Sequence, residues 1–236
     1  SAKDDAAGLA IAERMNARVR GMNVAVRNAN DGISLAQTAE GALGKLSEMM
    51  QRMRELAVQS ANATNGASDR LNLDAEYQEL SAEITRTIGS SRFNGIAILA
   101  GGAGAQDFQV GANSGETVTI TPADMSADAT LTAVTGGGLT TVAASTQALT
   151  DLDAALDTVN GERALYGAAQ NRFEAVIATL QVSAENQAAA RSRIMDADFA
   201  AETAALSRAQ ILQQAGNAMV AQANQLPQQV LSLLQR

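Results

Sequence analysis

Ala39-Glu40-Gly41-Ala42-Leu43-Gly44-Lys45-Leu46-Ser47-Glu48-Met49-Met50-Gln51-Arg52-Met53-Arg54-Glu55-Leu56-Ala57 decides the fold. Ala39, Leu43, Leu46, Met50, Met53 and Ala57 alternate steps of four and three, the spacing of a heptad seam along one helix face. Upstream, Met15, Val19, Met22, Val26, Ala29 and Ile33 form a second seam of the same kind. The two join through Ala36 by consecutive steps of three, a stammer. Asn30-Asp31-Gly32 at the join is turn-like, so a break there competes with one unbroken helix. Unbroken, the helix runs roughly 60 residues, on the order of 90 Å at 1.5 Å per residue. That length suits a rod rather than a compact globule.

Ser1-Ala2-Lys3-Asp4 fits a capping box at the start of this helix. Asn62-Ala63-Thr64-Asn65-Gly66 ends it, with Asn and Gly as candidates for a left-handed cap. Ser68 is the candidate cap of a second helix, whose Leu73, Tyr77, Leu80 and Ile84 share a face up to Ile88-Gly89. Arg92-Phe93-Asn94-Gly95 reads as a turn before a short strand, Ile96-Ala97-Ile98-Leu99. From Gly101 the composition shifts to Gly, Thr, Ala, Asp and Val. Phe108-Gln109-Val110 and Thr117-Val118-Thr119-Ile120 alternate like strands around a glycine turn. Gly101-Gly102 and Gly136-Gly137-Gly138 bracket this stretch and read as flexible joints. A third long helix starts near Ser145. Its seam takes Leu149, Leu152, Leu156, Val159, Tyr166, Phe173, Ile177 and Leu180, and persists to Ile194 and Phe199. Arg163 and Gln170 interrupt the seam, as register-fixing polar residues do.

The fold class expected is therefore mainly α: an elongated antiparallel helical bundle, a coiled-coil-like rod, with a small β-hairpin insert. Four parts follow: an amino-terminal helical arm (1–100), the hairpin insert (101–144), a carboxy-terminal helical arm (145–200) and a terminal helix (201–236). From Ala209 to Gln235 that last part carries no charged residue. Ile211, Leu212, Ala215, Met219, Leu226, Val230 and Leu233 recur near helical spacing, separated by glutamines. No apolar run is long enough to span a bilayer. An uncharged helix of this kind needs partners on several sides.

Composition excludes much else. The protein holds 17 basic and 25 acidic residues, a net charge of −8. Nucleic-acid binding would need a basic stripe, and an anionic membrane surface would repel so acidic a protein. Without Cys or His, disulfides, thiolate metal sites and histidine-based catalysis are closed. Asp4-Asp5 and Asp151, Asp153, Asp157 are the notable carboxylate groups. The second group reads as a solvated helix amino-terminus favoured by the dipole. No cofactor, metal or catalytic residue is expected.

Both arms resemble bacterial flagellin. The resemblance lies in residues 1–8, in Arg27-Asn28-Ala29-Asn30-Asp31-Gly32-Ile33-Ser34, in residues 51–62 and in Phe93-Asn94-Gly95. At the other end it lies in Ser192-Arg193-Ile194, Asp196-Ala197-Asp198-Phe199, residues 207–216 and residues 222–228. It implies a structural subunit polymerising into the flagellar filament, outside the cell. By the same resemblance the partners are other subunits, an export chaperone, and cap and hook-junction proteins. A hook–filament junction protein and a surface protein recognising a receptor or polysaccharide are the alternatives. Arg52, Leu56 and Gln59 share a helix face by spacing, displaced from the Met50, Met53, Ala57 row. With Glu76 they resemble the flagellin patch bound by an animal Toll-like receptor and buried between subunits. Flagellins begin with a further segment that pairs with the terminal helix. The present sequence starts after it, so the expectation is a mobile tail from about Ala209 in the isolated monomer.

Overall fold

The structure, a computed structural model, describes residues 5–196 and 198–234, and the side chains of all of these but 225–234. It is mainly α. Among the described residues five helices, α1 (Ala6–Ala61), α2 (Ala67–Ser90), α3 (Ala129–Thr135), α4 (Val142–Met195) and α5 (Phe199–Leu234), accompany two small hairpins. β1 (Arg92–Phe93) pairs antiparallel with β2 (Ile96–Ala97), and β3 (Gln106–Gln109) with β4 (Thr117–Ile120). The protein divides into two compact units, Arg14–Ala188 and Ser1–Glu13 with Ala189–Arg236.

In the larger unit α1 is continuous through Asn30-Asp31-Gly32. α2 folds back along it: Arg52 Nε reaches Glu76 at 2.8 Å, and Arg70 Nε donates to Ser60 O at 3.0 Å. α4 also runs antiparallel to α1. Ser145 bonds Ser60 (3.0 Å), Arg54 pairs with Asp153 (2.7 Å), and Gln170 donates to Glu40 (3.1 Å). The core follows the seam: Ala39, Leu43, Leu46, Met50, Met53 and Ala57 of α1 are fully buried. Leu152, Val159, Tyr166 and Phe173 of α4 meet them, with Tyr77 and Ile84 of α2. Upstream of the join Met22 and Ala29 of the expected seam are buried, with Ala25 and Gly32 beside them, while Met15, Val19, Val26 and Ile33 are half-buried.

Several local expectations are corrected. Asp5 caps α1, accepting from Gly8 N at 2.8 Å; the capping box expected at Ser1–Asp4 lies outside the described residues. No left-handed residue ends α1, since the positive φ angles fall at Asn94, Gly95, Gly101, Gly104 and Gly115. Gly66, extended at φ −74°, is the N-cap of α2 in place of Ser68. The Asp69 carboxylate accepts its N–H at 2.9 Å, half of a capping box. Arg92-Phe93 is a strand, because Asn94 (φ 48°) and Gly95 (φ 82°) make the two-residue left-handed loop that joins paired strands. α3 is an addition to the expected elements, set in the glycine- and threonine-rich insert. Asp128 caps it, accepting from Thr130 N at 2.9 Å and Leu131 N at 3.3 Å. Leu131 and Val134 anchor it in the core.

Gly136-Gly137-Gly138 is no free joint. Its backbone lies against α2, where Gln78 donates to Gly137 O at 2.9 Å and Leu139 N donates to Asp74 at 2.6 Å. A Cβ at Gly138 would sit 3.0 Å from Asp74 Oδ1. α4 begins at Val142, so Asp151, Asp153 and Asp157 do not lie in its first turn. Its buried seam ends at Phe173. Ile194 and Phe199 are exposed, and α4 ends at Met195. Asp198 starts α5, accepting from Ala200 N at 2.9 Å.

Candidate assembly and recognition surfaces

α1 and α2 together present one polar surface. Arg52 donates through Nε to Glu76 and through Nη1 to Glu55, each at 2.8 Å. The Glu76 hydrogen bond, then that of Glu55, holds the guanidinium further above its ordinary pKa. Gln59 is exposed two turns beyond Arg52. Leu56 does not belong to this surface: it is 1% exposed. α1 has neighbours on two sides, α2 and α4, so its apolar stripe is wider than a single seam and takes in Leu56 and Ser60. The exposed members of the expected patch are thus Arg52, Gln59 and Glu76. Val58 and Leu71 are exposed apolar side chains on the same two helices.

Two carboxylates of α4, Asp151 and Asp153, are occupied by surface pairs. Arg54 holds Asp153 below its usual pKa through their hydrogen bond, and Asp151 accepts from Gln147 at 2.8 Å. The two seam interruptions converge on one α1 residue. Gln170 reaches Glu40 Oε2 at 3.1 Å and Arg163 reaches Glu40 Oε1 at 3.9 Å. Heptad spacing marks Arg163 and Gln170 but carries no signal for Glu40. Among the described residues no group of acidic side chains is arranged to hold a metal ion. Among them, too, no helix is long and apolar enough to cross a membrane.

α5 offers the second surface. Every side chain described in it, from Phe199 to Asn224, is exposed. Ile211 and Leu212 are each 65% exposed and Met219 70%, with Ala215 between them. The side chains of Leu226, Val230 and Leu233 lie outside the described residues. Phe199, at 82% exposure, joins this surface rather than the α4 seam.

Long seam-packed helices, a small β insert and an exposed apolar helix define a helical structural protein. Two family models match, the bacterial flagellin N-terminal helical region over residues 1–103 and the bacterial flagellin C-terminal helical region over residues 149–234. The chain belongs to the bacterial flagellin family. A flagellin of Halalkalibacterium halodurans is 46% identical over 233 residues, covering 99% of this chain and 86% of that protein. Flagellin B of Vibrio cholerae is 34% identical over 336 residues, covering 99% and 89%. That alignment is longer than this chain, so the Vibrio protein holds inserted sequence that is absent here. The crystal structure of Bacillus cereus flagellin matches with a TM-score of 0.59 and 36% identity, over 70% of this chain and 94% of that one.

Proposed function

We infer that this protein is a structural subunit that polymerises with its own copies into the bacterial flagellar filament. Membership of the flagellin family supports the reading. The observation that carries it is α5: an exposed helix whose apolar side chains, from Ile211 to Met219, are left uncovered among the described residues. Covering such a face releases roughly 25 cal/mol per Å² of apolar surface. A head-to-tail contact that does not close on itself yields a helical polymer. The subunit is exported to the cell exterior, with α5 held by an export chaperone until secretion, and is added beneath a cap protein beyond the hook-junction proteins. Its role is mechanical, without catalysis.

Arg52, Gln59 and Glu76 form a subunit-contact surface in the filament. In the free monomer the same surface is open to a Toll-like receptor. The Arg52–Glu76 ion pair, which bridges α1 and α2 at the surface, supports that reading. Arg52→Ala tests it, with reduced receptor activation and slower polymerisation expected; wild-type values for both would reject the surface. Nothing favours the polysaccharide-receptor or junction-protein alternatives.

A further inference from the structure

We propose that Asn94 is a covalent self-modification site, at which the native protein deamidates ahead of its other Asn-Gly pairs. The sequence has three such pairs, Asn65-Gly66, Asn94-Gly95 and Asn160-Gly161. Glycine after asparagine leaves the following amide nitrogen unshielded, so sequence alone makes the three equivalent.

The fold separates them. Gly161 lies inside α4, where its N–H belongs to the helical ladder and the backbone cannot swing toward the Asn160 carboxamide. Asn65 is tied at both ends: its Nδ2 donates to Gln59 O at 2.5 Å, and the Gly66 N–H donates to Asp69 at 2.9 Å. Asn94 and Gly95 are both exposed and form the whole loop between β1 and β2. Among the described residues no partner holds the Asn94 carboxamide or the Gly95 N–H. In a two-residue loop the second amide points outward, free of the ladder. Asn94 is also the one described non-glycine residue with positive φ, at 48°.

The Gly95 amide nitrogen, having lost its proton to base, attacks Cγ of Asn94. The new bond from nitrogen to Cγ closes a five-membered succinimide as the bond from Cγ to Nδ2 breaks and ammonia leaves. Water then adds to either imide carbonyl. One opening gives aspartate. The other gives isoaspartate, which routes the backbone through Cβ and Cγ and lengthens the loop by a methylene. Both place a carboxylate near Arg92, whose Nη1 donates to Gly95 O at 3.1 Å. The longer loop breaks the β1–β2 register that leads into the buried Ile98 and Leu99.

Peptide mapping by mass spectrometry, on native protein held at mildly alkaline pH, tests this. The peptide carrying Asn94 is expected to gain about one dalton and split into two isomeric products, faster at higher pH. Those carrying Asn65 and Asn160 keep their mass over the same period. In denaturant all three convert at similar rates, because the selection is structural. An unchanged Asn94 peptide in native protein, or native conversion at Asn65 or Asn160 as fast as at Asn94, overturns the proposal.

Discussion

Phe173 closes over Gly32: a Cβ at Gly32 would lie 2.5 Å from Phe173 Cζ. Gly32 is therefore a point of close approach between α1 and α4 and not a turn. Phe173 in turn meets Phe108 of β3 edge to face, with ring centroids 5.5 Å apart. One glycine thus lets α4 and the β3–β4 hairpin settle against α1, where Asn28 also donates to Gln109 O at 3.0 Å.

Gly32→Val is expected to lower stability by about 1–3 kcal/mol through overpacking. Gly41 lies in the same helix, and a Cβ there would meet no atom within 4 Å. Gly41→Ala is expected to raise stability by about 0.5–1 kcal/mol, from helix propensity alone. Urea unfolding of both variants checks the pair, and equal shifts of one sign would contradict the assignment.

The same contact shows what is legible in the sequence. Heptad spacing yields α1, α2 and α4 because seam burial is a repeating, local signal. Asn-Asp-Gly at 30–32 looks like a turn because turn propensity is also local, whereas Phe173 is remote in sequence. Leu56 goes astray for a related reason. A single seam describes one neighbour, but α1 has two. α3 escapes a propensity reading because Thr and Val are weak helix formers; its formation depends on the Asp128 cap and on burial of Leu131 and Val134. In the candidate surfaces, Arg52 and Glu76 are grouped by resemblance and the structure joins them at 2.8 Å. Glu40, the common partner of Arg163 and Gln170, bears no periodic mark.

The two tyrosines provide an optical test, since the protein has no Trp. Burial, the largest cause, pushes both Tyr77 and Tyr166 up to about 12. A folded-state pKa above the unfolded value of about 10 means the native state retains protons that the unfolded state loses. The stabilisation is complete below pH ~10 and is lost as pH rises toward ~12. Phenolate absorbance is expected near pH ~12 in native protein and near pH ~10 in denaturant, and coincident titrations would contradict the burial.

Removing the two hydroxyls separates their roles. Tyr77 donates to Val134 O at 3.0 Å, so Tyr77→Phe is expected to cost about 1 kcal/mol. The Tyr166 hydroxyl is buried without a partner, so Tyr166→Phe is expected to be neutral or stabilising. Thermal unfolding of both variants checks the order; a larger loss for Tyr166→Phe would reverse it.

Amide exchange of the isolated monomer reads the state of α5. Its described side chains bury nothing, and a helix held by propensity alone opens readily. Fast exchange from about Ala209 onward is expected beside strong protection around Met50 and Met53. Protection throughout α5 would mean that it is already covered.

The most direct measurement is electron microscopy of the intact protein, purified as monomer and salted out, beside a variant with Ile211, Leu212 and Met219 all changed to Ser. Long helical filaments from the parent and soluble monomers from the variant, with unfolding of Arg14–Ala188 unaltered, are the predicted result. No filaments from the parent, or equally abundant filaments from the variant, would contradict a polymer assembled through α5.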